Sequence, residues 1–322
     1  MRFTTPSSSA ASSASAAARR MLKSANPGGG VMEPQEFANA LQQSLASALM
    51  IGAQPHVSGV GPGGLSAASA ADAQTHDTLR RHLAELKSKS SEGRARAARA
   101  IHQFLEEEQR ERSGEGFATV LHQLMHRIQD YGSSPEVHEK LGCILLIDEL
   151  LDLAMESETM VIRFANQLSI LIKEQADLKT VGIMDVLDAA THALGHLARS
   201  SAPGLTSDFL EHELGVAIKS LTMDRQTEMR RHAALMIVTE LAQNAPALFY
   251  SHVMRDRDGR AAAKATLTTF FERVWVVLSD AKIQVRVRAA LALRAVLRLV
   301  SHRAKSQRKL HDVIYSNARR AF

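Results

Sequence analysis

The chain has 322 residues, a formal net charge of +5, and only 4% aromatic against 45% hydrophobic residues. Its core must therefore come from Ala, Leu, Ile, Val and Met, the strong helix formers and their neighbours, and not from the aromatic and β-branched mixture of sheets. A single cysteine, Cys143, excludes an internal disulfide and fits a reducing compartment, and no apolar run reaches the ~18 residues of a membrane span.

Residues 1–74 differ in kind from the rest. Ser, Ala, Gly and Pro dominate in SSSAASSASAAA, NPGGG and GVGPGGLS, a composition that buries too little apolar surface to offset the entropy of ordering. The segment reads as a disordered tail in which Pro34 to Ile51 can form a transient helix. Arg2, Arg19, Arg20 and Lys23 precede the first acid, Glu33, as in an organelle transit peptide, but they lack clear amphipathic spacing, and the tail reading is preferred.

From residue 75 to 322 the periodicity is helical and no strand is needed. Leu79, Leu83 and Leu86 share one face of a first helix, and Ala97, Ile101 and Leu105 share the buried stripe of its partner, whose solvent end opposes Glu106, Glu107 and Glu108 to Arg110 and Arg112. A helix from about Gly116 to Asp130 ends at YGSSP and pairs with Glu136 to Leu153, where Cys143 reads as a small core residue. Three further pairs follow: Met160 to Lys173 with Met184 to Arg199, Asp208 to Leu221 with Thr227 to Gln243, and Thr266 to Leu278 with Ile283 to Val300. The predicted fold is all-α, a HEAT/armadillo-like superhelical solenoid of about five hairpins.

A repeated spacing organises these pairs. Asp280 can cap a helix start, Arg286 stands six residues on, and Ala289, Ala290, Leu293 and Leu297 continue one face. Asp224 and Arg230 repeat the offset ahead of Ala233, Ala234, Ile237 and Leu241; Ser134 and Lys140 hold the same places ahead of Ile144, Leu145 and Leu150. From Lys140 to Arg230 is two units of about 45 residues, within the range of HEAT and armadillo repeats. The longer last interval is assigned to an exposed loop, Arg255 to Lys264. Asp224, Arg230, Asp280, Arg286 and Lys140 are thus the candidate structural residues, able to ladder hydrogen bonds along the turns.

Several segments also resemble a family. Ile162 to Asn166 (IRFAN), Met223 to Arg225 with Arg230 to Ala234 (RRHAA), Glu240 to Ala242, Pro246, Arg94 to Ala98 (RARAA) and Glu139 to Gly142 together look like the amino-terminal HEAT repeats of the target of rapamycin (TOR) serine/threonine kinases, of the phosphatidylinositol 3-kinase-related kinase family. The resemblance runs from about Thr78 to Phe322 in order and spacing. The turn Asp177 to Ile183 and the loop Arg255 to Lys264 look longer than the family pattern, and the Ser/Gly-rich start is outside it. What the resemblance implies is a scaffold that helps assemble a nutrient- and growth-signalling TOR complex, TORC1 or TORC2. It further implies a raptor-like adaptor and a Rheb-like small GTPase as partners, and a cytoplasmic location extending to lysosomal or vacuolar surfaces or the nucleus through them. The family's kinase domain lies far beyond the point where this chain stops, so a non-catalytic fragment or truncated gene product is expected. The runner-up is an unrelated HEAT or armadillo adaptor, such as a transport or phosphatase scaffold, alike only through shared repeat physics.

Independent chemistry finds little support. There is no HRD, DRH or DFG element, and GPGG at Gly61 to Gly64 lacks the strand and helix of a phosphate loop; no catalytic or cofactor-binding residues are expected. His122 with His126, and His192 with His196, are each one helical turn apart, yet neither pair sits in HExxH or has a third ligand in place, so no metal is expected. Asp256 to Gly259 lacks the first and last carboxylates of a calcium loop. The stretch Arg286 to Arg320 is crowded with Arg and Lys and suits an acidic protein partner better than nucleic acid, because Tyr315 is the only nearby aromatic. Leu310, Val313, Ile314 and Phe322 begin a further unit, and a chain cut there is expected to self-associate.

Overall fold

The computed structural model describes residues 65–153, 158–178, 182–200, 207–222, 227–249, 266–301 and 308–321. The tail features before residue 65, the Arg255 to Lys264 loop with its Asp256 to Gly259 stretch, and Asp224 lie outside the described residues. The helices, in chain order, are α1 (Leu65–Leu86), α2 (Ser91–Glu111), α3 (Gly114–Gly132), α4 (Val137–Leu150), α5 (Glu158–Asp177), α6 (Ile183–Ser200), α7 (Ser207–Ser220), α8 (Glu228–Asn244), α9 (Thr266–Val277), α10 (Ile283–Ser301) and α11 (Arg308–Ala321). Among the described residues there is no strand.

Local chemistry explains several boundaries. Ser90, Ser113 and Thr227 sit in extended backbone before α2, α3 and α8, and each side-chain oxygen accepts a backbone N–H three residues on, from Gly93, Gly116 and Arg230, which satisfies an otherwise orphaned donor of the first turn. Asp280 Oδ1 accepts from the Lys282 N–H at 2.9 Å just ahead of α10. Gly182, at φ 85°, makes the left-handed turn into α6 that a side chain would resist. The first helix begins at Leu65, well before the apolar periodicity at Leu79 becomes readable. Its first turns carry Ala67, Ala68, Ala70, Ala71 and Ala73, whose helix propensity is high but whose pattern has no apolar face.

Ser69 to Phe322 form one unit of two layers. In one, α2, α4, α6, α8 and α10 pack successively side by side; in the other, α3, α5, α7, α9 and α11 do, and the layers meet pairwise as α3 with α4, α5 with α6, α7 with α8 and α9 with α10. This is an α-α solenoid of HEAT/armadillo type. Helices α2, α4, α6, α8 and α10 start at Ser91, Val137, Ile183, Glu228 and Ile283, intervals of 46, 46, 45 and 55 residues, the long one including residues 250–265, which lie outside the described residues. Helices inside the row are buried nearly all round: in α8, Arg231 to Val238 are all buried without a break, because neighbours cover it on both flanks as well as from the other layer. Side chains from Leu79 to Val300 form one continuous core along the stack. Close approach between α1 and α4 depends on Gly142, where a Cβ would fall on the Leu86 carbonyl oxygen. Ile314 of α11 packs against this core, while Tyr315 is exposed.

Candidate interaction surface

Polar side chains tie the row together at its turns. Arg94 Nη1 donates to the Ser88 and Lys89 carbonyls at 2.8 and 3.0 Å. Arg286 Nη1 does the same to Asp280 and Ala281 at 2.7 and 3.1 Å, the same six- and five-residue offsets at the other end of the row. Each arginine stands three residues after its helix's first residue, and by that register Lys140 of α4, Val186 of α6 and Arg231 of α8 hold the same position. Lys140 and Arg94 are buried to a similar degree. Val186 is apolar, so the polar series lapses in α6.

The α8 position shows what the sequence spacing missed. Arg231, 6% exposed, donates from Nε to Asp280 Oδ2 at 2.8 Å, and Asp280 itself is 1% exposed. Asp280 is therefore the acceptor for the previous unit's arginine, while its own unit's Arg286 takes its backbone carbonyl. Arg230, one residue before, lies at the surface and grips the Asp177 carboxylate at the end of α5 with two bonds of 2.5 and 2.8 Å. That grip, with some help from Lys173, holds the Asp177 carboxyl below the usual carboxylate range against a smaller opposing effect of burial, and raises Arg230. A sequence offset of six picks Arg230, whereas in α8, which starts just after the Thr227 cap, Arg231 is the buried one and Arg230 the exposed one.

Further rungs join successive helices. His102 Nδ1 meets the Glu149 carbonyl at 2.8 Å, and His196 of α6 lies between the carboxylates of Asp148 of α4 and Asp152 in the turn just after it, 2.8 Å from Nδ1 and 3.1 Å from Nε2. His192 approaches Glu240 of α8 at 3.8 Å. Arg288 of α10 reaches past α8 to Asp188 of α6, at 2.6 Å across 100 residues of sequence. His192 and His196 thus face different acidic partners, and His122 and His126 meet edge to face with centroids 4.7 Å apart. Among the described residues no group of three His, Cys, Asp or Glu side chains could hold a metal. In the other layer Ser169 donates to Glu213 at 2.9 Å, and burial pushes the Glu213 carboxyl up. Burial likewise raises Glu240 and, with the nearby Arg288, lowers His232. Cys143, buried and donating to the Ile128 carbonyl, is pushed up to about 12 by burial, which leaves it no thiolate to act as a nucleophile near neutral pH.

The ridge formed by α6, α8 and α10 carries two clefts. One, about 770 Å³, lies at the amino-terminal ends of these helices and is lined by Asp177, Asp185, Glu228, His232 and Lys282. The other, about 760 Å³, runs between the carboxy-terminal halves of α8 and α10 and is lined by Thr239, Gln243, Arg288, Leu291, Arg294 and Arg298 together with Glu240. Beside it α10 exposes Ile283, Val287 and Leu291, one helical turn apart. No described helix is long and apolar enough to cross a membrane.

No protein-family model matches the chain. It is 35% identical over 237 residues to the serine/threonine-protein kinase TOR of Arabidopsis thaliana, 73% of this chain and 9% of that protein. It is 32% identical over 241 residues to TOR2 of Saccharomyces cerevisiae, again 9% of its length, and 25% identical over 254 residues to the kinase mTor of Drosophila melanogaster. The chain therefore spans about a tenth of the length of these relatives.

Proposed function

Because the chain is a homologue of a segment of the TOR serine/threonine-protein kinases, at 31 to 35% identity over 64 to 73% of its length, we propose that it is the amino-terminal scaffold arm of a TOR-type kinase. In this reading it binds other proteins through its turns and ridge and itself performs no catalysis. The carrying observation is that a segment homologous to 9% of a large kinase is a two-layered helical stack, an architecture whose repeated edges suit extended protein contacts. Likeness by shared repeat physics alone does not account for this level of identity.

The partners this reading brings are a raptor-like adaptor and a Rheb-like small GTPase in a nutrient- and growth-signalling TOR complex, with a cytoplasmic location extended to endomembrane surfaces or the nucleus by those partners. Size-exclusion chromatography of the purified full chain with a purified raptor-like adaptor tests it. Joint elution at micromolar concentrations is expected, with the Rheb-like GTPase in a second arm; a helical, monodisperse chain that elutes apart from both would overturn it.

A further inference from the structure

Three successive grooves on the ridge invite comparison. Between α4 and α6 the groove is closed by His196 lodged between Asp148 and Asp152. Between α6 and α8 it is closed by His192 beside Glu240, and by Gly195, where even a Cβ would lie 2.8 Å from both Glu240 and Asn244. Between α8 and α10 it stands open as the 760 Å³ cleft.

Among the described residues its basic charge is only partly compensated. Counting from each helix start, Arg294 and Arg298 of α10 stand where Asp148 of α4 and Asp152, in the turn just past its end, stand in the α4 unit, so the same pair of counted positions carries the opposite sign. Arg288 is engaged by Asp188 and Arg286 by turn carbonyls, while neither Arg294 nor Arg298 has an ion pair among the described residues. Among the described residues the acid lining the cleft is Glu240, half buried, close to His192 and accepting a hydrogen bond from Asn244. Leu291, 40% exposed, lies between the two ends of this basic strip.

The geometry points to an acidic, amphipathic segment of a partner protein as the occupant, its carboxylates on Arg294 and Arg298 and an apolar side chain on Leu291. Charge selects against this chain's own flanking segments. Residues 250–265 carry four basic residues against two acidic, residues 302–307 two basic and none acidic, and residues 1–64 four basic against two acidic. Arginine's planar fork suits bidentate capture of carboxylates, and a partly enclosed cleft strengthens such pairs over fully exposed ones. Among the described residues no aromatic side chain lines the cleft to stack a nucleic-acid base. The inference rests on the reading of the arm as a protein-binding surface and names the chemistry of one partner.

The test is fluorescence anisotropy of the full chain with a labelled amphipathic peptide of Glu and Leu, its Gln/Leu counterpart, and a single-stranded oligonucleotide. The Glu/Leu peptide should bind, weaken with salt, and lose about tenfold or more in affinity in Arg294→Glu/Arg298→Glu and less in Arg294→Gln/Arg298→Gln. Arg81→Glu/Arg96→Glu, which makes the same charge change on α1 and α2, should leave binding within about twofold. Circular dichroism confirms that each variant keeps its helix content. Equal losses in the two Glu doubles, equal binding of the Gln/Leu peptide, or preferential binding of the oligonucleotide to the same arginines would overturn the proposal. A chain that co-elutes with the adaptor but ignores the peptide removes the cleft and keeps the arm; one that binds the peptide but no adaptor does the reverse.

Discussion

Arg230 and Arg231 are adjacent in sequence and opposite in consequence. Arg231 and Asp280 form a pair with almost no access to water, so removing either partner strands a buried charge. Arg231→Ala or Asp280→Ala should cost about 3 to 5 kcal/mol, read as a lowered urea midpoint. Arg230→Ala breaks a pair about 40% exposed on each side and should cost under about 1 kcal/mol. Equal effects would mean that the register inferred from the Thr227 cap is wrong. The surface pair still leaves a pH signature. The Asp177 carboxyl is held below its usual range by Arg230, so its contribution is present above the unfolded carboxylate pKa and is lost as pH falls through the folded one. Asp177→Asn should flatten the stability profile below about pH 4 and leave it parallel to wild type above about pH 5. For Cys143, pushed up to about 12, alkylation at pH 8 should proceed only as fast as the chain unfolds, and fast labelling of folded protein would show that α4 is open. The spacing of charged residues in the sequence named Arg286 and Asp280, but it named Arg230 where Arg231 is the buried residue. The partners across units were not legible, since Asp280 meets an arginine 49 residues away and Asp188 one 100 residues away, distances that only the stacking of whole units brings together.

At the level of elements, the 3.6-residue apolar period marked the helices that pack as α3 with α4, α5 with α6, α7 with α8 and α9 with α10, because each buries apolar residues and the short turns leave few alternatives. Boundaries were less legible. The start of α1 carries alanines without an apolar face, and the all-round burial of α4 and α8 blurs the stripe that marks a half-buried helix. Small residues between helices are the sharper constraint. Gly142→Ala would push α4 off the Leu86 carbonyl, which is backbone and cannot swing aside. The expected loss is about 1 to 3 kcal/mol by thermal unfolding, whereas Gly215→Ala, with nothing near its Cβ position, should be neutral or slightly stabilising. The basic run from Arg286 was likewise visible as composition. That two of its arginines are absorbed by structure and two face a cleft was not, because helix phase and the neighbouring α8 decide it.

On the scale of the whole molecule, a row in which each helix is held by its neighbours makes stability a sum of adjacent interfaces. Its polar rungs, from Arg94 at one end to Arg286 at the other, are structural, and the binding capacity proposed for it lies in what those rungs leave over. The TOR kinases that it matches over 9% of their length offer the setting in which that proposal can be tested. The most direct measurement is replacement, in Saccharomyces cerevisiae TOR2, of the homologous segment by residues 75–322 of this chain, followed by purification of the chimera and assay of its binding to the raptor-like adaptor proposed above. The account predicts a stably expressed chimera that retains its adaptor, and loses it when Arg231→Ala is introduced. A chimera that accumulates to the level of wild-type TOR2 yet recovers no adaptor would contradict the claim that this helical stack is a scaffold arm.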